Sequence, residues 1–312
     1  MRKIWIYILA PVLLLIIAGV WVVNALQLGG PPANQQYTRQ WQANSGAIKH
    51  LTIQSGYEIA VQFTDSPDQQ DHIVLEGEVT AAIRDTLQQT NVQHGSLQIE
   101  MNMQRKPWQL TTPKLSPHVQ HITVQLANPD SLDSADFHLI SAQTNLNHIQ
   151  AKQITVQSVS GRIKAEQLNG NATLKTSSGD MIIQEWKGSS LDIQSGSGDM
   201  KLGSVQGQLT STAGSGKLDI QQLNGSARLQ SESGDIVIHQ TNLSDNRNKQ
   251  PTSHPLEITT DSGDIQLVDP PATSNGYDAQ SESGTVTVPQ PNRSSNSSIQ
   301  LRSTSGNIAV GS

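Results

Sequence analysis

The stretch "SGSGDMKLGSVQGQLTSTAGSGKLDI", from Ser195 to Ile220, contains the same short phrase twice. In each copy a Ser-Gly pair is followed by a charged residue and then by an apolar–polar–apolar triplet, and the two copies lie 18 residues apart. Eight Ser-Gly pairs take this place in the repeat in the second half of the chain, and a charged residue follows six of them. Their glycines are Gly161, Gly179, Gly198, Gly216, Gly234, Gly263, Gly284 and Gly306. A short period repeated over half of a chain is typical of a stacked repeat protein.

Apolar and small residues recur at fixed distances on both sides of each corner glycine. Around Gly179, for example, Ala172 and Leu174 precede the corner, Thr176 takes a position that is small in every repeat, and Met181 and Ile183 follow. Because these positions alternate with mostly polar residues, they predict short β-strands with one buried face. The glycine between them suits a tight corner that needs a positive φ.

The pattern predicts an all-β protein, built as a parallel β-solenoid with coils of about 18–22 residues. Like residues would then stack about 4.8 Å apart in ladders inside the coils. A meander of antiparallel hairpins is the alternative, since Ser-Gly-Asp also suits hairpin turns. Hairpins do not require the same residue types at the same positions over eight units, so the ladders favour the solenoid.

The repeats place the solenoid at 137–312, with an atypical first coil at Phe137, Leu139 and Ser141. Residues 46–136 predict a β-rich N-terminal part that caps one end of it. The longest insertion ends at Pro255, and insertions along one edge of a solenoid often carry its binding face, although tolerated surface loops are the alternative. The candidate binding loop is Asn246, Arg247, Lys249 and His254. The C-terminal end has no predicted cap, so end-to-end self-association is a further expectation.

The N-terminus differs from the rest of the chain. Residues 1–3 form a predicted cytoplasmic stub, 4–28 a transmembrane signal anchor, and 29–45 a linker. The uncharged run is long enough to span a bilayer, and Arg2 and Lys3 orient its start toward the cytoplasm. A cleaved signal peptide is the alternative. Both interpretations place the remainder outside the cell.

Composition excludes several function classes. The chain has 35% hydrophobic and 4% aromatic residues, no cysteine, and a net charge of −6. No disulfide supports the exported part, so strand ladders and a stacked apolar interior must stabilise it. Without a basic patch, nucleic acid is not an expected partner.

The sequence does not present an active site. His118 and His121 are spaced i, i+3, which in a strand directs their rings to opposite faces. Asp192 and Asp219 each lie between inward apolar residues on different strands, unlike the clustered carboxylates of polysaccharide-active β-helix enzymes. Calcium needs several oxygen ligands around one ion, and only some corners carry an aspartate. We therefore expect no enzymatic activity, no metal and no cofactor.

The phrases "LQSESGDIVI" (Leu229–Ile238) and "LKTSSGDMII" (Leu174–Ile183) resemble a bacterial adhesin-like family with β-strand repeats, a domain of unknown function. The upstream stretch "IKHLTIQSGYEIAVQFTD" (Ile48–Asp65) is similar to it as well. The resemblance implies a β-solenoid associated with the cell envelope, and it carries no catalytic residues over to this chain.

The resulting expectation is a single-pass membrane protein that binds a cell-wall polymer or an envelope or surface protein outside the cell. Outward polar residues offer a ladder for such a ligand: Lys175, Gln194, Thr210, Arg228, Glu257 and Gln280. An envelope-stress sensing or regulatory accessory of a membrane protein is the alternative. A polysaccharide-active enzyme is a distant third.

Overall fold

The computed structural model describes residues 35–102, 119–141, 143–240, 254–268, 276–289 and 298–311. The predicted anchor at 4–28 lies outside these residues, as do His118, Asn246, Arg247 and Lys249. The helices in the described part are too short or too polar to cross a bilayer. Residues 34–312 belong to one compact unit.

The described residues form 21 strands and two short helices. The strands are β1 (Gln35–Asn44), β2 (His50–Ser55), β3 (Ile59–Asp65), β4 (Gln70–Val79), β5 (Ser96–Met101), β6 (Gln120–Leu126), β7 (Ser134–Ser141), β8 (Thr144–Asn147), β9 (Ile149–Ser160), β10 (Ile163–Ser178), β11 (Met181–Ser197), β12 (Met200–Ser215), β13 (Leu218–Asn224), β14 (Ala227–Ser233), β15 (Ile236–Gln240), β16 (Leu256–Ser262), β17 (Ile265–Val268), β18 (Gly276–Ser281), β19 (Val286–Thr287), β20 (Ser298–Ser303) and β21 (Ile308–Gly311). Helix α1 (Ala81–Gln89) follows β4, and a 3₁₀ helix (Pro129–Ser131) follows β6.

The predicted stack of parallel coils is confirmed. In the centre of the molecule each coil is one long strand that bends at the second corner, and β10, β11 and β12 pair in parallel over nearly their full lengths. The register is the one that the ladders predict, since Ile163 lies beside Met181 and Ala172 beside Leu191. Each coil thus contributes to two rows of parallel strands, and like residues stack between coils.

Besides the five positions described around each corner glycine, the interior holds a sixth ladder, which the sequence analysis missed. Residues in register at the second corner form it: Ile149, Leu168, Trp186, Val205, Leu223 and Gln240. Five of these six side chains are apolar, and all six are buried. Trp186 also donates a hydrogen bond from Nε1 to the carbonyl of Gly170, at 2.9 Å. Burying each large apolar side chain contributes about 1.5–3 kcal/mol, so this ladder is a main part of the core.

At the C-terminal end, the order of coils in space differs from their order in the chain. Strand β20 pairs with β16 on one side and with β18 on the other. In the second row, β21 likewise lies between β17 and β19. The last coil in the sequence is therefore the penultimate coil in space. The outermost of the described coils is 276–288, which we call the terminal coil.

The N-terminal end shows the same exchange. Strand β2 lies between β5 and β7, and β3 lies between β6 and β8. The parallel stack therefore extends into 46–136, and four of the strands expected to cap the solenoid, β2, β3, β5 and β6, are themselves parts of coils. The first coil in the sequence is the second in space.

A layer of antiparallel strands and a helix covers this end. Strand β4 pairs antiparallel with β6, and β1 pairs antiparallel with β4. Strand β1 occupies most of the stretch expected to be a linker. Helix α1 buries Ile83 and Leu87, and Trp41 of β1 holds the end of the helix by donating to the carbonyl of Thr90 at 2.9 Å.

Candidate functional site

The Ser-Gly corners are close-packed along the stack. Gly161, Gly179, Gly198 and Gly216 have positive φ angles of 112°, 142°, 125° and 111°. A Cβ atom on Gly198 would lie 2.4 Å from the carbonyl oxygen of Gly179. The corners at Gly234, Gly263, Gly284 and Gly306 are equally tight, with a neighbouring glycine oxygen 2.0–2.3 Å from the Cβ position. These glycines serve the fold, because only a residue without a side chain lets the coils approach.

The residue after each corner glycine also serves the fold. Asp199 Oδ1 accepts a hydrogen bond from the backbone amide of Lys217 at 2.8 Å. Asp180 accepts from the amide of Asp199 at 3.3 Å, and Asp235 accepts from that of Asp264 at 3.0 Å. Each of these exposed carboxylates joins one coil to the next by a charge-assisted hydrogen bond.

Beside these corners runs an open groove with a volume of about 840 Å³, which we call the corner groove. Residues from six successive coils line it, from His138 in β7 to Glu232 in β14. With coils about 4.8 Å apart, six coils extend over roughly 24 Å. Ser177, Gly196 and Gly214 lie along the groove at equivalent positions, and their small size keeps it open. The shape fits an extended chain better than a compact small molecule.

The corner groove is apolar at one end and acidic at the other. Ile140 and Val159 are 47% and 57% exposed and line the end near β7. Lys175 lies in the middle, and the carboxylate of Glu232 lies at the far end. Within the described residues, the only other exposed large apolar side chains are Val286 and Val288 of the terminal coil. Exposed apolar residues therefore concentrate at two places.

The structure separates the predicted polar ladder into two columns of the same strand row. Lys175 and Gln194 line the corner groove, and Gln280 lies in a smaller groove of about 230 Å³ further along. Thr210, Arg228 and Glu257 lie one column away. Arg228 and Glu257 form an ion pair at 2.6 Å, so their charges neutralise each other. Sequence reasoning missed Ile140 and Val159, whose apolar side chains at outward positions were the available signal.

Within the described residues, the other candidates are not brought together into one site. His254 is half-buried at the start of the segment that leads to β16, and its three companions in the predicted binding loop lie outside the described residues. Asp192 and Asp219 lie in different strand rows, beside Thr210 and Lys201 respectively. In the described part of the chain, no three His, Asp or Glu side chains are grouped to hold a metal ion.

The parallel coils and the open groove define a β-solenoid protein with a linear surface cleft. The chain belongs to the Toastrack DUF4097 family, a domain of unknown function, whose model matches residues 48–248 and 246–311. This membership agrees with the resemblance noted in the sequence.

Three solved structures that are similar to this chain share little sequence with it. A candidate adhesin of Bacteroides fragilis has 13% identity and a TM-score of 0.45, with 90% of this chain and 100% of that chain covered. A candidate lipid-binding protein of Parabacteroides distasonis has 15% identity and a TM-score of 0.49, with 89% and 98% covered. A candidate adhesin of Parabacteroides merdae has 11% identity and a TM-score of 0.38, with 89% and 95% covered. No curated protein matches the chain.

Proposed function

We propose that this protein is a non-catalytic, adhesin-like binding protein of the bacterial cell envelope, and that it holds an extended cell-wall polymer in the corner groove. The observation that carries the proposal is the groove itself, which crosses six coils and exposes Ile140 and Val159. Exposed apolar side chains rimmed by polar groups mark binding sites on soluble proteins. Residues 4–28 anchor the protein in the membrane, with its N-terminus in the cytoplasm and the solenoid outside.

The chemistry of the groove favours binding over catalysis. Gln157, Lys175, Gln194 and Thr212 offer hydrogen-bond donors and acceptors at the spacing of the coils. A linear ligand with a repeating polar group can satisfy several of them together, so weak contacts add along its length. The apolar end fixes the direction in which the ligand lies.

Co-sedimentation with isolated cell walls tests this function. The fragment 34–312 is the appropriate protein, since starting at Gly46 would remove β1. We expect saturable binding that Val159→Glu weakens about tenfold or more, because a buried apolar contact is worth more than 1.4 kcal/mol. EDTA should have no effect, because the corner aspartates bond backbone amides.

A matched pair of lysines provides the control. Lys175 lies in the corner groove, and Lys201 is exposed on the other strand row. Lys175→Ala should weaken binding, whereas Lys201→Ala should leave it unchanged. Equal effects of both variants would point to non-specific electrostatic attraction. Saturable binding that survives Val159→Glu and Lys175→Ala would place the ligand elsewhere and refute the groove as the site.

A further inference from the structure

The terminal coil leaves the end of the apolar core partly uncovered. Val286 and Val288 are each 37% exposed. Val286 lies beside Ile308 of the next coil inward, and Ile308 is only 1% exposed. Among the described strands, β18 pairs with β20 alone and β19 with β21 alone. A strand edge beside exposed apolar residues is a template for pairing with another chain.

The opposite end of the stack is built differently. Strand β6 is covered by β4, β4 is covered by β1, and helix α1 packs beside β5. The apolar interior is therefore closed at that end. A head-to-tail contact would need the open end of one copy to meet the closed end of the next. Two open ends can cover each other instead, and such a contact closes at two copies.

We propose that the terminal coil is the interface of a homodimer in which β18 pairs antiparallel with β18 of a second copy. A two-fold axis that is perpendicular both to the stack and to β18 reverses the strand direction, so the pairing across it is antiparallel. The same axis brings the valines of the two terminal coils together. Pro289 follows Val288 and has no backbone N–H to donate, so a ladder beside β19 cannot extend past Val288.

The side chains of β18 fit one particular register. When Ala279 lies opposite its own copy, Asp278 lies opposite Gln280 of the second chain, and both point outward. Asp278 is the one charged residue of the strand, and Arg302 of the neighbouring coil already neutralises it. Within one chain the amide of Gln280 donates to Asp278 at 3.4 Å, and across the axis the same two groups face each other again. No like charges meet in this register.

A cysteine placed on the two-fold axis tests the dimer, because the chain has no cysteine of its own. Opposed residues in antiparallel strands have Cα atoms about 4.5–5.5 Å apart, which is within disulfide range. We expect full-length Ala279→Cys, oxidised in the membranes of the producing cells, to run at twice the monomer mass on a non-reducing gel. Gln221→Cys, at an exposed position far from the interface, should run at the monomer mass on the same gel, because its two cysteines do not meet in the dimer. Adding Val286→Lys and Val288→Lys to Ala279→Cys should abolish the cross-link.

Three results would overturn the proposal. If Ala279→Cys reacts with a maleimide but does not cross-link, the edge is open and no second copy covers it. If it neither reacts nor cross-links, something other than a second copy covers it. Equal cross-linking of Gln221→Cys would show that the disulfide reports random collision. Binding to cell walls is a separate measurement on a different surface, so either idea can fail alone.

Discussion

Asp264 accepts a hydrogen bond at 2.7 Å from the backbone amide of Asn307, a residue 43 positions further along the chain. The corner residue that follows Asp264 in the repeat series is Thr285, and its amide donates instead to Oδ1 of Asn307 at 3.0 Å. Asn307 also donates from Nδ2 to Asp264 at 3.2 Å. An asparagine can both donate and accept, so it joins a carboxylate on one side to a backbone amide on the other. These hydrogen bonds follow from the exchanged order of the last two coils, because Asn307 lies between Asp264 and Thr285 in the stack.

The corner aspartates should stabilise the stack measurably. Asp199→Ala removes the acceptor for the amide of Lys217, and we expect the free energy of unfolding to fall by about 1 kcal/mol. Asp219→Ala, which changes an outward aspartate of the neighbouring coil, is the matched control and should change it by less than about 0.5 kcal/mol. Urea unfolding of the fragment 34–312 measures both. Equal losses would contradict a specific role for the corner carboxylate.

Because the backbones of neighbouring coils are in close contact at the corner glycines, adding one methyl group there should lower the stability of the fold strongly. Gly198→Ala would place a Cβ 2.4 Å from the carbonyl oxygen of Gly179, at a φ of 125°. We expect a loss of about 1–3 kcal/mol from backbone strain, and more if the coils must separate. Gly311→Ala is the control, since no atom lies within 4 Å of its Cβ position. A thermal melt in which both variants match the parent would refute this packing.

Gln240 offers a route to a more stable protein. It ends the sixth ladder, is only 2% exposed, and neither Nε2 nor Oε1 has a hydrogen-bond partner in the described structure. Replacing it by leucine should raise the free energy of unfolding by about 1–2 kcal/mol, because an unsatisfied buried amide is costly. Gln221→Leu, at an exposed position, should give no such gain. A destabilised Gln240→Leu variant would mean that the amide is satisfied in solution.

Attachment of the terminal coil should depend on pH. The hydrogen bond from Arg302 lowers the pKa of Asp278 below its ordinary value of 3.8. The ionised carboxylate therefore stabilises the folded coil above about pH 4. This stabilisation is lost as the pH falls through the lowered pKa. Hydrogen exchange of 276–281 should accelerate at such acidic pH relative to that of 256–262.

Arg302→Ala separates this effect from general acid unfolding. Without the guanidinium, the pKa of Asp278 should return toward its ordinary value, and exchange of 276–281 should already be faster at neutral pH. The acid-induced acceleration should shrink in the same variant. An unchanged pH profile would show that the ion pair does not hold the coil.

Much of the core could be predicted because its signal is local. The sixth ladder could also have been predicted from the sequence. Its members Leu168, Trp186, Val205 and Leu223 each lie seven residues after a corner glycine. It was missed because it lies at the second corner, where the strands bend and the register shifts. The hydrogen bonds of the corner aspartates were not predicted for another reason. A charged residue next to glycine suits a solvated turn, and only the stacking of coils brings a backbone amide to each carboxylate.

The groove was only partly predictable. Lys175 and Gln194 were recognised as outward residues, but the sequence does not tell which outward column lines a cleft. The cleft arises where the chain approaches the corner and small residues such as Gly196 and Gly214 replace larger ones. Ile140 and Val159 indicate a binding site only because they line the same cleft as Gly196 and Gly214. Single exposed apolar residues are common on protein surfaces and would not indicate one.

The sequence by itself determined the coil, because a fixed spacing of apolar, small and glycine residues permits one local path with one buried face. Only the tertiary structure decided the order in which the coils stack. Every coil presents the same ladder to its neighbours, so apolar burial is nearly equal for several orders. Long-range contacts such as those of Arg302 with Asp278 and of Asn307 with Asp264 distinguish them. These contacts join residues 24 and 43 positions apart, and no local pattern encodes them.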